Sequence, residues 1–230
     1  MRPLPSVFYA LLCPYPPFSV RMVWNTPVQG KSRRAGGRRM IRVISQERAM
    51  EILAEYDAWI EEVGRRYQVP PAAVKAVLFK EMTQTDLMDP LADLAVWTGL
   101  TSRKDSSTGY GQIFGRTGLL AVNYALDQGL AGYAGLGLET DHRLSEENPE
   151  DIRLVWKKLK DDERFNIEVC AVNLRLCAQE MTGRTDFSSF SDEETKLALT
   201  RYNANVRHVT AYGEDAFRLM QMFSSPSPSL

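Results

Sequence analysis

An all-α domain is the fold class this sequence predicts, on three observations. Apolar residues recur at helical spacing through most of the chain after residue 45. Strand-like alternation is nearly absent, and Pro, Asn, Ser and Gly stand where helices begin and end. No internal repeat is visible.

Ser45 is a good N-cap, and Ala49, Ile52, Leu53, Tyr56, Ile60 and Val63 follow at helical spacing. They predict one helix running to about Tyr67, with Gly64 inside it. Pro70-Pro71 starts a second, in which Val74, Val77, Leu78 and Met82 share an apolar face and Glu81 sits in the last turn. A short helix is expected from about Pro90 to Trp97. Residues 98–118 hold five glycines with several Ser and Thr, and read mostly as loop.

Helix returns at Leu119–Leu126, before a Gly-rich stretch at 129–137. Asn148-Pro149 is a cap followed by a first-position proline, for a helix through about Lys160. The next runs from Asn166 to Met181 and stops at Gly183. Ser191-x-x-Glu194 is a capping box for a helix ending at Tyr202. The last helix is expected over about Val206–Phe223, before a Ser/Pro tail at 224–230.

The chain of 230 residues is 44% hydrophobic and 25% charged, as a soluble globular protein is. The net charge of −1 conceals an asymmetry. Residues 1–46 carry eight Lys/Arg and no acid, and the remainder carries twenty against twenty-nine acidic residues. An acidic body argues against nucleic acid as the main partner, because phosphate binding needs a basic surface. No apolar run reaches the roughly 20 residues of a membrane span, so no integral membrane segment is expected.

Residues 1–42, rich in Pro, Gly and Arg, read as a disordered basic leader or as sequence upstream of a true start at Met40. Val7–Cys13 is a short apolar core, but prolines follow at once and no small-x-small cleavage site is convincing. The folded domain is expected over residues 43–223. Cys170 and Cys177 fall on one helix about 10 Å of rise apart, beyond disulfide reach, and read as buried small hydrophobes.

Three places have chemistry to offer. Glu81 follows Val77, Leu78 and Phe79 at a helix end, where a half-buried carboxyl can serve as an acid near neutral pH. The plain alternative is an exposed helix-end Glu paired with a neighbour. In Gly109-Tyr110-Gly111-Gln112-Ile113, two glycines allow close backbone approach to a ligand, Tyr110 offers a ring for a sugar face and Gln112 an amide. The alternative is an ordinary Gly-rich turn. Tyr202 can reach the acid or the substrate with its hydroxyl, and Asn203 can turn the chain through its side chain. The alternative is a helix end at which Asn205 takes the left-handed conformation.

The order of these pieces resembles that of the lytic transglycosylases, with their lysozyme-like fold. Glu81 matches the family's catalytic Glu, and Ser107-Thr108-Gly109 through Gln112-Ile113 matches its Gly-Leu-Met-Gln-Ile loop. Asn166-Ile167 matches the Asn-Ile of its central helix. Ala198 precedes Tyr202-Asn203-Ala204 at the family's spacing, and Tyr212-Gly213 sits where it often has Tyr-Gly. The resemblance covers about residues 68–217. Met82 stands where the family has Ser, Tyr110-Gly111 replaces Leu-Met, Asn205 replaces Gly, and 115–165 does not align, so the implied member is a divergent one.

The resemblance implies cleavage of the MurNAc–GlcNAc β-1,4 bond of peptidoglycan, with Glu81 and Tyr202 catalytic. It implies substrate contacts from Gly109, Tyr110, Gly111, Gln112, Ile113, Asn166 and Asn203, and no metal or cofactor. The partner is the peptidoglycan glycan strand, the site of action the bacterial cell wall, and the protein a monomer. A hydrolytic muramidase needs a second carboxylate, for which Asp105 is the first candidate. A non-catalytic glycan-binding protein of lysozyme-like shape and a helical scaffold are the other readings.

Overall fold

The computed structural model describes residues 44–84 and 106–225. Among these the fold is all-α, with eight α-helices and a single pair of two-residue strands. The described residues fall in one unit, Met40–Leu230. The expected helix at 90–97 lies outside them, as does Asp105.

Ser45 caps the first helix, its hydroxyl accepting from Arg48 N–H. The single helix expected to Tyr67 is two: α1 (Gln46–Glu55) and α2 (Asp57–Tyr67) meet at Tyr56, whose φ of −97° and ψ of 9° leave helical geometry. Asp57 and Glu61 of α2 both pair with Lys75 of the next helix, at 2.6 and 3.0 Å. A one-residue bend barely disturbs apolar periodicity, so the pattern alone does not register it. Helix α2 ends at Gln68, in the left-handed region at φ 55°. There Arg175, from across the core, donates to the Tyr67 carbonyl and to the Gln68 side chain.

Pro71 opens α3 (Pro71–Gln84), buried on nearly every side, with the half-buried Glu81 in its last turn. Strands β1 (Ser107–Thr108) and β2 (Ile113–Phe114) pair antiparallel, Ser107 opposite Phe114 and Thr108 opposite Ile113. Helix α4 (Gly115–Asp127) starts directly after β2, four residues before the expected Leu119. Its second glycine, Gly118, lies under Leu159 and Val155, so small size at that point lets α5 (Pro149–Asp161) pack closely. Asn148 caps α5 as expected.

Helix α6 (Glu163–Thr182) starts three residues before Asn166, because Asp162 caps it through Phe165 N–H. It ends at the left-handed Gly183, as expected. From Phe165 to Arg175 every residue is buried, the mark of a helix enclosed by the rest of the core. Helices α2, α3, α4, α5 and α7 (Asp192–Asn203) all pack against it. Cys170 and Cys177 are free thiols on its buried surface.

The capping box of α7 is formed: Ser191 Oγ accepts from Glu194 N–H, and the Glu194 carboxylate accepts from Ser191 N–H at 2.9 Å. Helix α8 (Ala211–Ser224) begins five residues after the expected Val206. Residues 204–210 are irregular, and Thr210 N–H is held by Thr200 Oγ1 at 3.2 Å. Gly213 then lies so close to α7 that a Cβ there would meet Thr200 Oγ1 at 2.1 Å and the Lys196 carbonyl at 2.6 Å. Contact with α7 sets where α8 starts. Among the described residues no helix is long and apolar enough to cross a membrane.

Replacing Ser191 with Ala removes the cap, at a cost of about 1 kcal/mol. Thermal unfolding should show a Tm lower by roughly 2–4 °C. An unchanged Tm would mean that the box contributes nothing.

Candidate active site

The loop between β1 and β2 is held from below by one amide. Asn166 is completely buried in the first turn of α6. Its Oδ1 accepts from Gly111 N–H at 2.8 Å, and its Nδ2 donates to the carbonyls of Thr108 and Leu159, both at 3.1 Å. A Cβ at Gly109 would sit 2.1 Å from Nδ2, and the residue also has a φ of 71°, so a side chain fails there twice over. Gln112 is left-handed as well, with a φ of 45°. Its side chain folds back, donating to the Gly109 carbonyl at 2.9 Å and accepting from Ser107 Oγ at 3.1 Å.

From above, Tyr202 of α7 donates its hydroxyl to the Gly111 carbonyl at 2.7 Å. Its ring is half-buried, but the hydroxyl end lies deep, against the Cys170 thiol. Burial pushes the phenol well above its ordinary range, and the neighbouring Cys170 and Glu81 charges push it further.

Glu81 is held by a tyrosine, but not by Tyr202: Tyr212, in the first turn of α8, donates to Glu81 Oε1 at 2.6 Å. Burial raises the Tyr212 phenol well above the usual range, and the Glu81 charge adds to it. Tyr212 therefore stays a neutral donor at any pH at which a carboxyl titrates. Glu81 acts electrostatically on Tyr202, Tyr212 and Cys170 alike, so the carboxyl sits among groups from three other helices. Burial raises the Cys170 and Cys177 thiols to about 12, which leaves them protonated.

The remaining predicted residues divide in two. Tyr110 is half-buried and meets Tyr56 edge-on, with ring centroids 6.0 Å apart, while Asn203 is exposed as the last residue of α7. Ile113 is 2% exposed and belongs to the core. Asn205 is not left-handed: α7 closes at Ala204, in extended geometry with φ −143° and ψ 139°. Met82, beside the acid in sequence, is buried in the core.

Sequence reasoning gave no role to Tyr212 or Cys170. Tyr212 was visible only as half of a Tyr-Gly pair, and Cys170 only as a buried helix residue. Among the described residues no group of three His, Cys, Asp or Glu side chains is placed to hold a metal ion. Compared with protein-family models, with curated proteins and with solved structures, the chain matches none of them.

Asn166→Asp keeps the shape but turns a carboxylate oxygen toward two carbonyls that now receive a proton. Urea unfolding should show a loss of about 1–3 kcal/mol; full stability would mean that the amide is not the clamp. A second expectation concerns alkaline pH. Cys170, Cys177, Tyr202 and Tyr212 all have pKa values raised in the folded state. The unfolded chain therefore releases these protons first, and the stability they contribute is complete below about pH 9 and lost as pH rises further. Urea midpoints should be level from pH 7 to 8 and fall steeply between pH 9 and 10.5. A level profile throughout would contradict the burial of these groups.

Proposed function

We propose that this protein is a peptidoglycan-cleaving enzyme of lysozyme-like fold, acting on the MurNAc–GlcNAc β-1,4 bond as a lytic transglycosylase. One observation carries the proposal. Tyr202 joins the glycine loop, which it holds at Gly111, to the surroundings of Glu81, so three motifs far apart in sequence share one place. A carboxyl at that junction has a backbone loop beside it on which a sugar can be laid, and phenols that stay neutral around it.

Glu81 protonates the glycosidic oxygen as its bond to the MurNAc anomeric carbon breaks, and positive charge develops on that carbon. The resulting carboxylate then removes the proton of the MurNAc 6-hydroxyl, whose oxygen bonds to the anomeric carbon. The products are a 1,6-anhydro end and a free GlcNAc hydroxyl, and the acid is returned to its protonated state. Tyr212 holds the carboxyl through both halves of the cycle. The Gly109–Gln112 turn and Tyr110 contribute the sugar surface, with Asn166 supporting the turn from inside. The glycan strand is the partner and the bacterial cell wall the place of action.

The test is incubation of the full chain with purified peptidoglycan, followed by mass spectrometry of the released fragments. Anhydro ends from the native protein and none from Glu81→Gln are expected, the substitution lowering the rate at least about 100-fold. Reducing ends would replace the transglycosylase with a hydrolase, and Asp105 would then be the first carboxylate to substitute. No fragments, or equal release by Glu81→Gln, would end the enzymatic reading.

A further inference from the structure

Lys80 is the least expected side chain near the acid. It precedes Glu81 on α3, yet it is only 3% exposed, a placement that lysines take almost only when paired. Its Nζ lies 3.2 Å from Asp215 Oδ2 and 4.9 Å from the centroid of the Tyr212 ring. Asp215 is three residues along α8 from Tyr212, on the same face, and is partly exposed, where it also pairs with Arg218 at 2.5 Å. The ammonium is thus held against the ring of the same tyrosine whose hydroxyl holds Glu81.

We propose that Lys80 is a positioning residue for the Glu81 carboxyl, acting through Tyr212: its ammonium fixes the ring from below while the hydroxyl grips the acid from the edge. The assignment of a catalytic role to Glu81 is the reading on which this rests. Two physical effects work in one direction. A cation against the ring restricts the phenol to the orientation that reaches Oε1. It also draws electron density from the ring, which makes the hydroxyl a stronger donor and favours the carboxylate form of Glu81. Among the described residues, the charged and titratable groups near the acid include Tyr212 and Asp215 from α8, Tyr202 from α7, Cys170 from α6 and Lys80 itself. From α2, Asp57 and Glu61 approach α3 at Lys75, more than a turn before Lys80.

The test is a titration of the Glu81 carboxyl by carbon NMR in protein with labelled glutamate, the resonance assigned by its loss in Glu81→Gln. Lys80→Met should raise the Glu81 midpoint by about half to one pH unit, and Lys80→Arg should return it most of the way. Tyr212→Phe should raise it on its own, and adding Lys80→Met to that variant should give less than a third of the shift seen alone. Asp215→Asn, which leaves the ammonium without its anion and the core closed, should lower the midpoint by a smaller amount. An equal shift with and without Tyr212 would show Lys80 acting directly through space, and no shift from Lys80→Met and Asp215→Asn would show it not acting on the acid; either overturns the proposal. The titration needs no substrate, so inactivity on peptidoglycan does not touch it, and its failure does not touch the peptidoglycan assay.

Discussion

The buried amide of Asn166 is the interaction on which the site depends. A two-stranded hairpin closed by a short glycine turn is marginal by itself. Its backbone groups must find partners once they are removed from water. Asn166 provides three at one point: an acceptor for Gly111 N–H and donors for the Thr108 and Leu159 carbonyls. Both strands' connection and the end of α5 are thereby fastened to the most enclosed helix of the core. With the turn fixed from inside, the Gly111 carbonyl faces outward to Tyr202, and α7 is tied to the loop it covers. Loss of the amide would leave several orphaned polar groups rather than one, which is why a single side chain carries so much of the arrangement.

The acid is placed by a different contact, the close approach of α8 to α7 and α3. Gly213 lets α8 lie against Thr200 and the Lys196 carbonyl, and the preceding residue, Tyr212, is then delivered over Glu81. Two devices, an amide under the loop and a glycine under a helix, thus bring the loop and the acid to a common place. Both work by exclusion of space as much as by attraction. Neither the Gly109 nor the Gly213 position has room for one further carbon.

Much of the helical frame was legible in the sequence because its punctuation is local. Asn148-Pro149, Ser191-x-x-Glu194 and Gly183 each act within one turn of the chain, so their chemistry can be read without knowing the fold. What could not be read depends on contacts between distant segments. The bend at Tyr56 accompanies ion pairs with Lys75, and the start of α8 is set by contact with α7. In the site, the Gly-x-Gly-Gln turn and a late tyrosine beside it could be anticipated, but the division of labour between two tyrosines could not. Tyr202 was expected to reach the acid or the substrate, and its hydroxyl donates to the loop at Gly111, while Tyr212, ten residues on, donates to the acid. Residues 204–210 between them are irregular, and helical periodicity cannot predict where such a stretch returns the chain.

The same geometry explains why the departure at Met82 from the resemblance need not weaken the acid. Successive helical residues point about 100° apart, so Lys80, Glu81 and Met82 face three directions from the end of α3. Met82 takes the core direction, at 2% exposure. Lys80 points to Asp215 and the ring of Tyr212 on α8, and Glu81 meets the hydroxyl of that same tyrosine. A serine in place of Met82 would leave a cavity and a hydroxyl in the core, while the methionine fills that space with an adaptable apolar chain. Support for the carboxyl comes instead from the phenol of Tyr212, and behind that phenol from a lysine that the helix has turned inward. The polar side of the acid's surroundings has been built from α8, and the residue beside it in sequence has been released to packing.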